Sequence, residues 1–159
     1  MYNFRMKTIT KSQSETIEFA KKYGQSLKSG DVVLLNGEMG AGKTVFTKGI
    51  ALALGITSEI TSPTYAYLND YDGKLYHYDC YRLSSGEDAE ALGLTEYFYA
   101  HGICVIEWSE NIDGALPENT AVVKGENLFP RVDADKALAE LEAAEATARK
   151  AALPAVEVE

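Results

Sequence analysis

Gly37-Glu38-Met39-Gly40-Ala41-Gly42-Lys43-Thr44 fits G-x-x-x-x-G-K-[ST], the spacing of a phosphate-binding loop. The flanks suit it on both sides. Asp31-Val32-Val33-Leu34-Leu35-Asn36 is a short β-branched and apolar run that predicts a buried strand leading into the loop. Val45 through Leu54, closed by Gly55, predicts a helix with a glycine stop leading out of it. Glycines let the amides of Glu38, Met39, Gly40, Ala41, Gly42, Lys43 and Thr44 turn inward around a phosphate, and the helix N-terminus adds partial positive charge there. Lys43 then reaches the β- and γ-phosphates, and the Thr44 hydroxyl is a magnesium ligand. The chain reads as a nucleotide binder.

Outward from the loop, strands alternate with helices. Residues 4–9 look like a strand, and Ser12-Gln13-Ser14-Glu15 matches a capping box. Ile17, Ala20, Gly24 and Leu27 give the helix that follows an apolar face, and Ser29-Gly30 ends it. Beyond Gly55, residues 65–69 and 75–79 flank a turn containing Asp72-Gly73, a hairpin signal. Ser84 to Asp88 opens a further helix, with a second helical piece over 95–100. Ile103-Cys104-Val105-Ile106 is a compact strand ending at Glu107-Trp108, and residues 121–124 form another strand. Together these predict an α/β three-layer P-loop domain whose mixed, mostly parallel sheet carries an inserted antiparallel hairpin. Leu138, Leu141, Ala144 and Ala148 space a modest amphipathic helix over 134–153, read as solvated or loosely docked, with a partner-binding helix as the minority view.

Hydrolysis needs magnesium held from a second side and a water in line. Glu107 directly follows an apolar strand, where a Walker-B carboxylate belongs, and is read as a metal ligand rather than an ordinary strand-end charge. Asp79 ends the second hairpin strand within His77-Tyr78-Asp79-Cys80-Tyr81-Arg82 and could hold a magnesium-bound water or position the attacking one. Thr61-Ser62-Pro63-Thr64 stands where a switch segment senses the γ-phosphate, or is a plain Ser-Pro turn. His77 reads as a residue packed on the sheet rather than a catalyst, Arg82 as a phosphate-facing cation or a salt-bridge partner, and His101 as surface. Cys80 reads as a small buried residue, with no His or Asn grouping to make it a nucleophile. Asp70-Tyr71-Asp72-Gly73 fits the D-x-x-G of GTPases but sits at a hairpin tip, and no guanine-reading N-K-x-D follows.

The totals bound the partners. At 159 residues one domain is expected, with 46% hydrophobic and 25% charged residues as in ordinary globular chains. No apolar run approaches membrane-spanning length and no signal pattern opens the chain, so a cytoplasmic location follows by default. The net charge of −9 argues against a protein that grips nucleic acid by itself. Seven acids and three bases from Val132 onward leave the body near −5, still acidic.

Four blocks in one order carry a family resemblance: the loop Gly37 to Thr44, Ser62-Pro63-Thr64-Tyr65, His77 to Leu83, and Ile106-Glu107-Trp108. In these the chain resembles the bacterial tRNA threonylcarbamoyladenosine biosynthesis ATPases of the TsaE family. The resemblance implies a slow ATPase using ATP and Mg2+, acting beside TsaB and TsaD, with tRNA engaged only indirectly through the complex. It implies that Thr44 and Glu107 handle magnesium, that Lys43 and Asp79 support hydrolysis with Glu107, and that Ser62 and Thr64 belong to a switch. The expected organisation is a P-loop ATPase domain over 1–131 and an acidic Ala/Glu-rich helix and tail over 132–159, where the family usually closes with strands. Two rivals stand beside it. A small P-loop kinase needs an arginine-rich lid that the sequence lacks, and a nucleotide-sensing adaptor would bind without turnover.

Overall fold

The computed structural model of the protein describes residues 5–37, 42–63, 65–125 and 155–158, the side chains of 5–7 and 155–158 excepted. Among these residues lie seven strands and three α-helices: β1 (Arg5–Thr8), α1 (Gln13–Gln25), β2 (Val32–Asn36), α2 (Lys43–Ala53), β3 (Leu68–Tyr71), β4 (Leu75–Asp79), α3 (Gly86–Ala91), β5 (Ile103–Glu107), β6 (Thr120–Gly125) and β7 (Ala155–Val158). Short 3-10 helices fill Leu94–Tyr99 and Ser109–Ala115. The sheet order is β1-β7-β6-β2-β5-β4-β3, parallel throughout except that β3 runs antiparallel to β4 at the edge. The expected fold class is the observed one. Among the described residues no helix is long and apolar enough to cross a membrane.

Alternation along the strands sorts their side chains onto two faces. Val33, Leu35, Leu75, Ile103 and Val105 form one core with Ala20 and Tyr23 of α1 and Phe46 and Ile50 of α2. Val32, Leu34, Tyr76, Tyr78, Cys104 and Ile106 form the other with Ala89, Leu94, Phe98 and Ile112. The face under α1 and α2 is therefore the one on which Lys43 and Thr44 begin α2.

Helix ends follow local chemistry. The Ser12 hydroxyl accepts from the Glu15 amide at 3.2 Å, while the Glu15 carboxylate accepts from Lys11 N at 2.5 Å, one residue before the reciprocal bond of a standard capping box. Gly55, at φ +73°, donates to Leu52 O, and Ile56 N reaches back to Ala51 O, so α2 ends in the glycine motif that its sequence announces. Asp72 and Gly73 both have positive φ, and Asp70 Oδ1 accepts from Gly73 N at 2.9 Å. The D-x-x-G match is thus a hairpin turn.

Three expectations are corrected. α1 stops at Gln25, because the Ser26 hydroxyl and amide both turn back onto Tyr23 O before Ser29-Gly30 is reached. The first hairpin strand begins at Leu68 rather than 65, because Tyr67 takes φ 64° and its amide bonds Pro63 O as a turn. The 131/132 boundary does not separate the end of the chain from the body: Ala155–Val158 forms β7, inserted between β1 and β6. The helix expected over 134–153 lies outside the described residues.

α1 and α2 approach closely at two glycines. A Cβ on Gly49 would lie 2.5 Å from Ile17 O, and one on Gly24 would lie 2.8 Å from the Ala53 Cβ. Gly49→Ala should therefore cost about 1–3 kcal/mol, read as a fall in thermal midpoint of roughly 2–4 °C per kcal/mol. Gly114, with open space around its Cβ position, is the control, and Gly114→Ala should stay within about 0.5 kcal/mol of the parent.

Candidate functional site

The carboxyl ends of β2, β5 and β4 lie side by side, the place where parallel sheets present ligands. Register pairs Leu35 with Glu107 and Glu107 with Asp79. Gly42, in the left-handed region at φ 89°, turns the chain into α2, and Lys43 and Thr44 open that helix. Asn36, Lys43, Asp79 and Glu107 are thereby gathered at one edge of the sheet.

The Lys43 ammonium donates to Gly37 O at 2.7 Å and stands 4.2 Å from the centre of the Trp108 ring. Trp108 itself sits at φ 57°, a left-handed conformation unusual for a bulky residue, which turns the chain sharply after β5. Asp79 is 6% exposed. Its Oδ1 accepts from Tyr81 N at 2.9 Å, and the Ser62 hydroxyl reaches its Oδ2 at 3.4 Å. Glu107 is also buried, and its Oε2 lies 2.6 Å from His77 Nε2. Asn111 Nδ2 ties the backbone of Cys80 and Tyr81 to the segment after β5.

On the β6 side of Lys43 a shallow, open recess is lined by Thr16, Asn36, Gly42, Lys43, Val123 and Gly125. Thr44, in the first turn of α2, and Glu107, at the end of β5, are the hydroxyl and the carboxylate that could take a cation. Among the described residues no cluster of three or more His, Cys, Asp or Glu side chains could hold a metal alone. That donor set suits magnesium, which keeps waters and shares one or two carboxylates with phosphate oxygens.

The family model for "Threonylcarbamoyl adenosine biosynthesis protein TsaE" matches residues 10–137. The chain belongs to the TsaE family. It is 46% identical over 120 residues to the TsaE protein of Treponema pallidum, covering 74% of this chain and 89% of that one. Against the TsaE protein of Bacillus subtilis it is 44% identical over 117 residues, covering 72% and 73%. The crystal structure of Bacillus subtilis YdiB superposes with a TM-score of 0.64 at 33% identity, over 86% of this chain and 93% of that one.

Several residues read from the TsaE-like blocks do converge: Asp79 and Glu107 pair at the strand ends, with Ser62 on Asp79, and Lys43 stands on the ring of Trp108, the residue after Glu107. Glu38, Met39, Gly40, Ala41 and Thr64 lie outside the described residues. The Arg82 guanidinium lies over the rings of Tyr65 and Tyr67 at 5.3 and 5.9 Å. His101 is exposed, as read. Sequence reasoning passed over Trp108 as a contact of Lys43 and His77 as a partner of Glu107. The second had a signal: His77 and Asp79 share a strand face by simple alternation. Thr16 and Gly125, which line the recess, are far apart in sequence and gave none.

Cys80 is buried, and burial, with the Asp79, Glu110 and Glu107 carboxylates adding to it, pushes its thiol from 9.0 up to about 12. Burial likewise pushes Cys104 up to about 12, against a lowering hydrogen bond with Tyr78. Both stay protonated in the fold at neutral pH and are inert as nucleophiles. At pH 8, iodoacetamide should leave both thiols of the native chain unmodified and label both after unfolding, as read by mass spectrometry. The sign for stability follows from the raised folded values. The contribution is fully present below pH 9, where folded and unfolded thiols are both protonated, and is lost as pH rises from 9 toward 12. Urea midpoints should fall across that window, and less steeply for Cys80→Ala.

Proposed function

We propose that the protein is a magnesium-dependent, slowly hydrolysing ATPase of the tRNA threonylcarbamoyladenosine machinery. It acts in the cytoplasm with TsaB- and TsaD-type partners that hold the tRNA. The observation that carries this reading is the pairing of Asp79 and Glu107 at the ends of the adjacent parallel strands β4 and β5, beside β2, with Lys43 opening the helix that follows β2, in a TsaE-family chain. The acidic net charge of −9 supports a component that reaches tRNA through other proteins.

In this reading the loop amides from Glu38 to Thr44 cradle the phosphates and Lys43 leaves Gly37 O to neutralise γ-phosphate charge. Thr44 and Glu107 would hold a magnesium ion, which would supply charge neutralisation at the phosphates. Asp79, its Oδ1 fixed by the Tyr81 amide, uses Oδ2 to align the attacking water. Ser62, already in reach of that oxygen, and Thr64 act as the switch that couples nucleotide state to the partners. The recess beside Lys43 accommodates part of the rest of the nucleotide. Hydrolysis resets the partner complex rather than modifying a small substrate.

Phosphate release from ATP and GTP, with magnesium, tests this for the chain alone and with TsaB and TsaD added. Slow ATP turnover that the partners change is expected, falling about 100-fold or more in Lys43→Ala and Glu107→Ala. Binding without turnover in every mixture would leave an adaptor and remove the catalytic roles of Asp79 and Glu107. Phosphate transferred to an added nucleoside or sugar would mark a kinase instead.

A second readout uses the single tryptophan of the chain. Because Lys43 stands on the Trp108 ring, its departure to a bound phosphate should change tryptophan emission saturably with MgATP. Lys43→Ala should start from an altered emission and lose that response. An unchanged titration in this variant would separate the emission from Lys43.

A further inference from the structure

The geometry points to His77 as the positioning residue of Glu107: its Nε2 proton pins Oε2 of the carboxylate and leaves Oε1 as the oxygen turned to the cation. This deepens the magnesium-ATP reading and rests on it.

His77 lies on β4 and Glu107 on β5, and register pairs His77 with Val105 and Asp79 with Glu107. Partners in a parallel ladder point to the same face, so His77, Asp79, Val105 and Glu107 all look toward α2. His77 is 0% exposed and Glu107 4%. The 2.6 Å contact between Nε2 and Oε2 is short enough for a charge-assisted bond to a carboxylate, which accepts and cannot donate.

The other ring nitrogen gives the second observation. Nδ1 is buried and meets no hydrogen-bond partner among the described residues. A proton there would be a buried orphan donor, so the proton belongs on Nε2 and points at Glu107. An imidazole with one idle nitrogen is a poor choice for packing alone, because a leucine would fill the same space with no polar atom to desolvate. The histidine is explained by what its other nitrogen does. Glu107 has rotatable bonds of its own, and at the end of a strand nothing in the backbone fixes the direction of its carboxylate. One short bond to Oε2 does so. Groups that orient a metal ligand in this way typically account for roughly 10–100-fold in metal affinity.

The test is a magnesium titration of ATP binding by calorimetry on the full chain. The variants are His77→Leu and His77→Met, which keep volume but lack the donor, and His77→Gln, whose amide can replace Nε2. Val105→Ala serves as a control that loosens the same patch without touching a polar group. The magnesium concentration for half-maximal ATP binding should rise about tenfold or more in the Leu and Met variants. It should return most of the way in His77→Gln and stay at the parent value in Val105→Ala. On a Glu107→Ala background, His77→Leu should add no further shift, since the donor then has nothing to aim. A parental magnesium requirement in the Leu or Met variant, or an equal shift in Val105→Ala, overturns the positioning role while leaving the ATPase reading in place. ATP binding by the parent chain that is indifferent to magnesium overturns both.

Discussion

The parallel ladder of β2, β5 and β4 is the constraint on which the rest depends. Its register sets Leu35, Glu107 and Asp79 in one row, so that three strand ends open on one edge. Side-chain direction alternates along a strand, so a slip of one residue between β4 and β5 would turn Asp79 and His77 onto the face of Tyr76 and Tyr78. The hydrophobic pattern prevents that slip. Leu75 and Ile103 belong under α1 and α2, while Tyr76, Tyr78, Cys104 and Ile106 belong under α3 and the two 3-10 helices. The polar row at the strand ends is held in place by the apolar residues below it.

Polar chemistry at that edge is packed closely and at some conformational cost. Two aromatic residues, Tyr67 and Trp108, take left-handed backbone angles of 64° and 57°, on the segments that enter and leave the site. Residues so placed cost of order 1–3 kcal/mol each. The surrounding bonds oppose that cost: Tyr67 N donates to Pro63 O, Asp79 N donates to Tyr67 O, and Cys80 N donates to Glu107 O. In return the chain turns sharply after β5, and the Trp108 ring comes to rest beside the Lys43 ammonium.

Much of this was legible residue by residue. The strand before the loop, the helix after it and the glycine stop all follow from local chemistry acting over a few neighbours, and each lies where it was expected. The buried strand ending at Glu107 was legible for the same reason. Less legible were the positions that depend on backbone strain or on remote segments. The start of β3 moved because Tyr67 turns, against the β propensity of 65–69. Arg82 finds the faces of Tyr65 and Tyr67, an affinity that no spacing rule encodes. The last four-residue strand was hidden behind an Ala/Glu-rich composition that speaks for helix, although Ala155-Val156-Glu157-Val158 has the alternation of a strand once a sheet is there to receive it.

By itself the sequence determined that this is an α/β chain built around a phosphate loop, with Lys43 and Thr44 at a helix start and Glu107 and Asp79 at strand ends. Those are properties of short windows, set by side-chain period, caps and glycine. Only the tertiary structure decided which of these residues meet. The order β6-β2-β5-β4 brings together segments that are not neighbours in the chain, and burial between β4 and β5 joins His77 to Glu107. Pairing across a parallel sheet depends on long-range contacts between apolar surfaces, and no local window of the sequence contains both sides of such a contact.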